Sequence, residues 1–413
     1  MTNDREALQG CGASHVWYFM ERKETGKKRV FMLFAAALAA AVLCLASCSS
    51  EGDGAGSAFD DHKTGSMDLQ YATQFHVDYY DDDVKAVSIE DGLSYLLVPG
   101  EPDSDMPEWL TEENTEGYTV IRTPVTRAYI AASSAMDIIN AVDALDDVLM
   151  TSTQASDWAI PEIKEKVESG EIRYVGKYRA PDYEALVEED IGLAVESTMI
   201  YHNPQVKEAI EELGIPVLVE RSSYENDPLG RLEWIKLYGL LFGKEDEADE
   251  YFAEAVEKVD SFDTASIETI PDVAFFSVNS GGAVVVRKPG DYVTKMIEMA
   301  GGQYALDGLD TGDEDNALST MNMQMEAFYD MAVDSDILIY NSAIESDLQS
   351  IDDLTALADQ FSDFRAVKEG NVWCTNKSMF QKTTGAADMI VEMNKIFAGT
   401  EDDGGFEYFH KLK

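Results

Sequence analysis

The sequence predicts an α/β fold of two Rossmann-like lobes joined by a single long α-helix. Three observations predict it. From residue 118 onward, short apolar and β-branched runs alternate with amphipathic helical stretches, the rhythm of a parallel sheet covered on both faces. The rhythm pauses at residue 228 for two successive helical stretches and restarts at residue 272. The second of those stretches, "KEDEADEYFAEAVEKVDSF" (244–262), places Phe252, Ala255, Val256, Val259 and Phe262 on one face and crowds its acids at its N-terminal end, where the helix dipole favours them. At ~1.5 Å per residue it runs roughly 27 Å, enough to connect two lobes.

The chain opens on a leader, assigned to residues 1–47. Lys27, Lys28 and Arg29 form a basic start, and Val30–Cys44 is an apolar run of 15 residues, the size of a secretory core and short for a membrane span of ~20 residues. Met20 is a candidate start codon. The run ends in Leu45-Ala46-Ser47-Cys48, which resembles a bacterial lipobox. That resemblance implies cleavage after Ser47, acylation of Cys48 and a chain held on the outer face of the membrane, stably so only with two or more acyl chains. Residues 48–67 are rich in Gly, Ser and Asp and are expected to form a flexible tether, with ordered chain from about Asp68. Of the 4 cysteines, Cys11 and Cys44 lie in the leader. Cys374 is left alone, so stability must come from core packing.

The balance of 31 basic against 79 acidic residues gives a net charge of −48. Such a field repels nucleic acid and favours cationic partners. A monomer is expected.

The first lobe is assigned to residues 68–243. "LQYATQFHVDYY" (69–80), "VKAVSIED" (84–91) and "SYLLVPG" (94–100) read as strands joined by Asp/Gly turns, an extension of the first lobe's sheet. Residues 101–117 form a loop. Strands follow at 118–124 and 127–133, and then a helix at 134–148 with Ser133 or Ser134 at its N-cap. After an extended stretch at 172–177 come a helix at 181–190 with Pro181 in its first turn, a strand at 191–197, a helix closed by Gly214, and a strand at 215–220. "PLGRLEWIKLYGLLFG" (228–243) is a helix ending at Gly243. In the second lobe, residues 263–413, the βα rhythm runs through 272–278, 283–288, 291–302, 323–334, 336–341, 350–357 and 371–376 to a final helix at 385–399.

Five stretches, in order, carry a family resemblance: "TPVTRAYIAASSAMDIINAVDALDDVLMTS", "VGKYRAPDYEALVEEDIGLAVES", "VKEAIEELGIPVLVE", "TKMIEMAGGQYAL" and "MNMQMEAFYDMAVDSDILIYN". Together they resemble the substrate-binding lipoproteins of ABC importers for iron siderophores, haem and cobalamin, which have the class III periplasmic-binding-protein fold. The resemblance covers about Arg122 to Phe397. It implies an extracytoplasmic binding protein, not an enzyme, without a cofactor of its own, whose partners are a metal chelate and an ABC permease dimer with basic docking residues. One exposed glutamate per lobe docks such proteins, and by position these are Glu184 and Glu326. Here Glu189-Asp190 introduces a strand that the family usually opens with Pro-Asp.

Clefts in such folds are lined by the loops after the strands. On the first lobe these hold Ser133, Ser134, Thr153, Trp158, Tyr178, Arg179, Thr198, Met199, Tyr201 and His202. On the second they hold Asn279, Ser280, Arg287, Lys288, Tyr292, Met321, Met323, Asn341 and Lys377. Tyr178 falls where the family often stacks an aromatic ring on its ligand. The basic pair Arg287 and Lys288 suits an anionic chelate or a propionate. His202 is a candidate axial ligand to iron or cobalt, and Cys374 and the alternating Met321, Met323 and Met325 are candidate soft ligands, set against ordinary packing.

Two other readings stay open. A receptor for a bare divalent metal needs a dense cage of ligands, whereas His62, His76, His202 and His410 are scattered. An extracellular hydrolase needs a nucleophile or metal motif, and the sequence has no G-x-S-x-G, H-E-x-x-H, P-loop or G-x-G-x-x-G.

Overall fold

The computed structural model describes residues 59–261, 264, 267–311, 319–342, 347–400 and 405–413. Cys48 and the leader lie outside them. Three sheets are built in chain order. The first contains β1 (Lys63–Ser66), β2 (Phe75–Tyr80), β3 (Lys85–Ile89), β4 (Ser94–Pro99) and β5 (Thr119–Thr123), in that spatial order, antiparallel except for the parallel β4–β5 pair. Two expectations are corrected here. Ordered chain begins before Asp68, because Lys63–Ser66 pairs with β2 and the Phe59 ring is buried. The strands of residues 69–100 do not extend the first lobe's sheet but form one of their own. Both of its faces are covered, which accounts for the unbroken apolar run of β4. Phe75, Val77, Val87, Tyr95 and Leu97 join the main core, while Tyr80, Ala86, Leu96 and Val98 pack under Phe59 and Leu110.

The second sheet is wholly parallel: β6 (Ala128–Ile130), β7 (Val148–Thr151), β8 (Arg173–Tyr174), β9 (Leu193–Ser197) and β10 (Val217–Glu220), in the order β10-β9-β6-β7-β8. Its helices are α1 (Ser133–Ala141), α2 (Pro161–Ser169), α3 (Tyr183–Glu188) and α4 (Pro204–Glu212). Helix α2 was not foreseen, although Pro161 starts it and Gly170 closes it with φ 83°. Asp182 caps α3 by accepting from the Ala185 N–H at 3.2 Å.

Between the second and third sheets lie α5 (Pro228–Glu233), α6 (Ile235–Phe242) and α7 (Glu245–Ser261). Helix α7 packs on α6 and on the last helix of the chain through Ala248, Phe252, Ala255 and Val259. The third sheet contains β11 (Asp272–Val278), β12 (Val284–Arg287), β13 (Gln303–Tyr304), β14 (Thr320–Met323), β15 (Ile337–Tyr340), β16 (Val372–Thr375) and β17 (Phe409–Lys411). Its order is β14-β12-β11-β15-β16-β17, with β13 also on β11. Strands β13, β11, β15 and β16 run parallel, while β12 is antiparallel to β11, β14 to β12 and β17 to β16. Its helices are α8 (Tyr292–Met299), α9 (Met325–Ala332), α10 (Ile351–Leu357), α11 (Arg365–Glu369) and α12 (Ala386–Phe397). A capping box of Ser350 and Asp353 starts α10. No helix among the described residues is long and apolar enough to cross a membrane.

The N-terminal sheet is fastened to the junction by two buried carboxylates. Glu233 accepts the backbone N–H groups of Gln70, Tyr71 and Ala72 at 2.8–3.0 Å and pairs with Lys236 at 2.8 Å. Glu225 accepts those of Thr73 and Gln74 and the Trp234 indole N–H at 2.9–3.0 Å. Position 230 must be glycine for this approach, since a Cβ there would lie 2.8 Å from the Tyr71 carbonyl oxygen.

Candidate functional site

The loops at the C-terminal ends of β6 to β10 and of β11, β15 and β16 carry most of the predicted ligand residues, as the topology of a parallel sheet requires. Their individual surroundings differ. Tyr178 is half-buried against an apolar cluster of the first lobe on which Tyr183 also packs, and Arg179 is exposed. Thr198, Met199 and His202 lie on the single-turn helix after β9, with Met199 49 % and His202 also exposed. Thr153 is half-buried, its N–H on the Thr151 hydroxyl. Lys377 is exposed, and Lys288 and Asn341 are half-buried.

Other predicted residues are spoken for within the protein. Ser134 donates to Glu220 at 2.9 Å. Tyr201 donates to Asp91 in the β3–β4 turn, so it holds the N-terminal sheet. The Asn279 carboxamide oxygen accepts from Gly281 and Ala283 and shapes the β11–β12 turn. Arg287 is buried, donates to Ser319 at 2.8 Å and lies 3.5 Å from the Asp291 carboxylate. Burial raises the Asp291 carboxyl above its ordinary value, and Arg287 works against that.

Around Arg287 the fold assembles a cationic and aromatic group that crosses the junction. The Arg231 guanidinium of α5 lies 3.7 Å from the Tyr292 ring centroid, and that of Arg287 lies 5.2 Å from Tyr292 and 5.0 Å from Phe380. Lys382 borders the same spot. The cavity there is about 20 Å³, room for a water molecule only. A chelate does not fit there unless the lobes part. Arg231, Phe380 and Lys382 were missed from sequence because they stand inside or beside helices. A basic residue in so acidic a chain was the available signal.

The lobes are latched at this floor. The Gln381 side chain accepts from the Ala159 N–H and donates to the Asp157 carbonyl, both at 2.7 Å. Nearby, Asp137 of α1 receives Thr384 from the other lobe.

Behind the first lobe's strand ends sits a fully buried carboxyl, Glu196, without a hydrogen-bond partner among the described residues. Burial pushes it up to about 8. Tyr129, whose hydroxyl is likewise unpartnered, and Tyr183 are close enough for the carboxylate to raise their own values.

Glu184 and Glu326 are both exposed and both stand in the first turn of a helix, α3 and α9 respectively. Val187, one turn after Glu184, is a large apolar side chain 50 % exposed.

This arrangement, an α/β lobe on each side of a junction crossed by helices, one with a parallel and one with a mixed sheet, is that of a solute-binding protein of the two-lobed kind. Residues 131–378, more than half of the chain, match the family described as periplasmic binding protein, and the chain belongs to that family, with its class III fold. Two uncharacterized lipoproteins of Methanocaldococcus jannaschii are similar to it. One is 24 % identical over 353 residues, 78 % of this chain and 80 % of the relative, and the other 23 % identical over 374 residues, 85 % and 88 %. Among solved structures, a periplasmic binding protein from Veillonella parvula superposes with a TM-score of 0.55 at 15 % identity, covering 67 % of this chain and 92 % of that one. The periplasmic haem-binding protein of Vibrio cholerae gives 0.53 at 17 %, covering 65 % and 98 %. The petrobactin-binding protein of Bacillus subtilis gives 0.52 at 16 %, covering 66 % and 91 %. The family is one of solute-binding proteins of ABC transport rather than of enzymes, and its fold and lipoprotein relatives are those of extracytoplasmic proteins.

Proposed function

We propose that the chain is lipid-anchored through Cys48 on the outer face of the cell membrane, captures an iron chelate (a siderophore or haem) or cobalamin between its lobes, and delivers it to an ABC permease. One observation carries the ligand class. In a chain of net charge −48, Arg231, Arg287 and Lys382 gather with the rings of Tyr292 and Phe380 where the lobes meet. Such a floor attracts a flat or aromatic anion, with guanidinium groups for its carboxylates or catecholates. The haem- and petrobactin-binding proteins among the similar structures support the same class. Tyr178 and Met199 offer apolar contact from the first lobe, and Lys288, Asn341 and Lys377 polar contact from the second. Glu184 and Glu326, one on each lobe, orient the protein on basic permease residues.

The test is uptake. Proteoliposomes holding the permease of the same cell should accumulate labelled chelate only when the loaded protein is added outside. Equal uptake of free chelate without the protein would refute the delivery role.

A further inference from the structure

Where β16 and β17 pair at the edge of the third sheet, three side chains of different chemistry meet. Cys374 on β16 and His410 on β17 are register partners in the antiparallel pair, so the two side chains leave the sheet on one face. Asp347, in the stretch that leads from β15 to α10, closes the triangle. One ligand atom from each residue lies within 4.8 Å of the other two. The Asp347 Oδ1 atom is 3.8 Å from His410 Nε2 and 4.0 Å from Cys374 Sγ.

The surroundings of His410 point to a cation. Its Nδ1 faces the Asn376 Oδ1 atom at 2.9 Å, and the Asn376 amide is oriented by donating its own N–H to the Glu407 carbonyl. Its Nε2 faces the Leu348 carbonyl oxygen at 2.8 Å. A neutral imidazole has one N–H, and here two acceptors flank the ring. With the proton on Nδ1, held by Asn376, the Nε2 lone pair points at a carbonyl oxygen, a carboxylate and a sulfur. Both acceptors are met only by an imidazolium or, with the Nδ1–H held by Asn376, by a cation that the Nε2 lone pair shares with the carboxylate and the sulfur. A hydrogen bond from the second ring nitrogen to a fixed carbonyl is the usual support of a metal-bound histidine.

We propose that Cys374 Sγ, His410 Nε2 and Asp347 Oδ1 bind one zinc-like transition-metal ion, with the Leu348 carbonyl or a water as fourth ligand. Sulfur, nitrogen and oxygen together suit a borderline ion in tetrahedral geometry. Metal–ligand bonds of ~2.0–2.3 Å require ligand atoms roughly 3.3–3.7 Å apart, so Asp347 must approach His410 and Cys374 by about half an ångström, and Cys374 and His410, within 4.8 Å of each other, must close by at most about 1.2 Å. Binding replaces the thiol S–H bond by a metal–sulfur bond and releases that proton to solvent. The ion would staple the last strand, β17, to β16 and to the stretch before α10. Capture of a chelate between the lobes does not depend on it.

Cobalt(II) is the probe, added to the purified full-length protein while absorption is followed. The expected result is one equivalent bound with the charge-transfer band of a cobalt–thiolate bond, displaced by zinc. Carboxylates elsewhere on this acidic surface cannot give that band. C374S should abolish it, and D347N, at an exposed position whose change leaves the core intact, should weaken binding at least about tenfold. N376A, which removes the support of His410 without touching a proposed ligand, should weaken it ~10–100-fold. No thiolate band in the wild-type protein would overturn the proposal. So would a band that survives C374S, or an affinity unchanged by both D347N and N376A.

Discussion

The backbone N–H and the hydroxyl of Thr384 both donate to the Asp137 carboxylate, each at 2.8 Å, across 247 residues of sequence and from one lobe to the other. With the Gln381 clasp beside it, this contact ties the two lobes together. Burial pushes the Asp137 carboxyl up to about 6 from 3.8, although Thr384 works against the rise. A carboxyl raised in the folded state contributes stability that is fully present below its unfolded value and lost as pH rises through the folded value. Asp137 should therefore give a falling stability between about pH 4 and pH 6, on the order of 2–3 kcal/mol. Urea midpoints of the wild type and Asp137→Asn, compared across that range, should converge at one end and diverge at the other. Parallel profiles would count against this role.

Glu196 should behave in the same direction at higher pH. Its raised value of about 8 places the loss of stability between pH 5 and pH 8. Glu196→Met, which keeps the shape and removes the charge, should be more stable than the wild type at pH 9 by at least ~2 kcal/mol, with a smaller difference at pH 5. Thermal unfolding at the two pH values measures this. A variant less stable than the wild type at pH 9 would mean that the carboxylate has a favourable partner.

Glu233 should matter far beyond its own helix. Glu233→Ala strips three backbone N–H groups of their acceptor and leaves Lys236 unpaired, a loss of about 3–5 kcal/mol. Limited proteolysis should then cut within residues 68–74 before any other described segment. Cleavage unchanged from the wild type would show that other contacts hold the N-terminal sheet.

The sequence was informative where structure is local and silent where it is not. Apolar β-branched runs and capped helices mark the two βα series, because a parallel strand buried on both faces has to be apolar along its whole length. The strands of residues 69–99 were visible by the same reasoning, yet not the sheet they join, since pairing is set by contacts such as Tyr95 on the Val217 carbonyl, 122 residues away. Thr153, Tyr178, Met199 and Lys377 could be placed at strand ends because topology alone puts them there. Arg287 reads in sequence as a cleft cation for an anionic chelate and is buried beside Asp291. Glu196 lies within an ordinary strand, and only its complete burial in the folded protein makes it unusual. Cys374 and His410 become neighbours solely through the pairing of β16 with β17.

Glu184 and Glu326 should separate binding from delivery. Both are exposed, so Glu184→Lys and Glu326→Lys should leave stability within about 0.5 kcal/mol of the wild type. Chelate affinity should also be unchanged, while permease-dependent uptake falls at least about tenfold for either variant and further for both. Uptake unchanged in the double variant would move the docking surface elsewhere.

The central claim is capture of a metal chelate between the lobes, and it is tested most directly by a titration of the purified chain. Haemin, cobalamin and several ferric siderophores are added in turn while tryptophan fluorescence is followed. Trp158, buried on the loop after β7 close to the Gln381 clasp, is the natural reporter. Saturable quenching by one of these ligands at micromolar concentration or below, weakened at least about tenfold in Arg231→Ala, is the predicted result. No response to any of them would contradict the chelate assignment and leave a binding protein for a different solute.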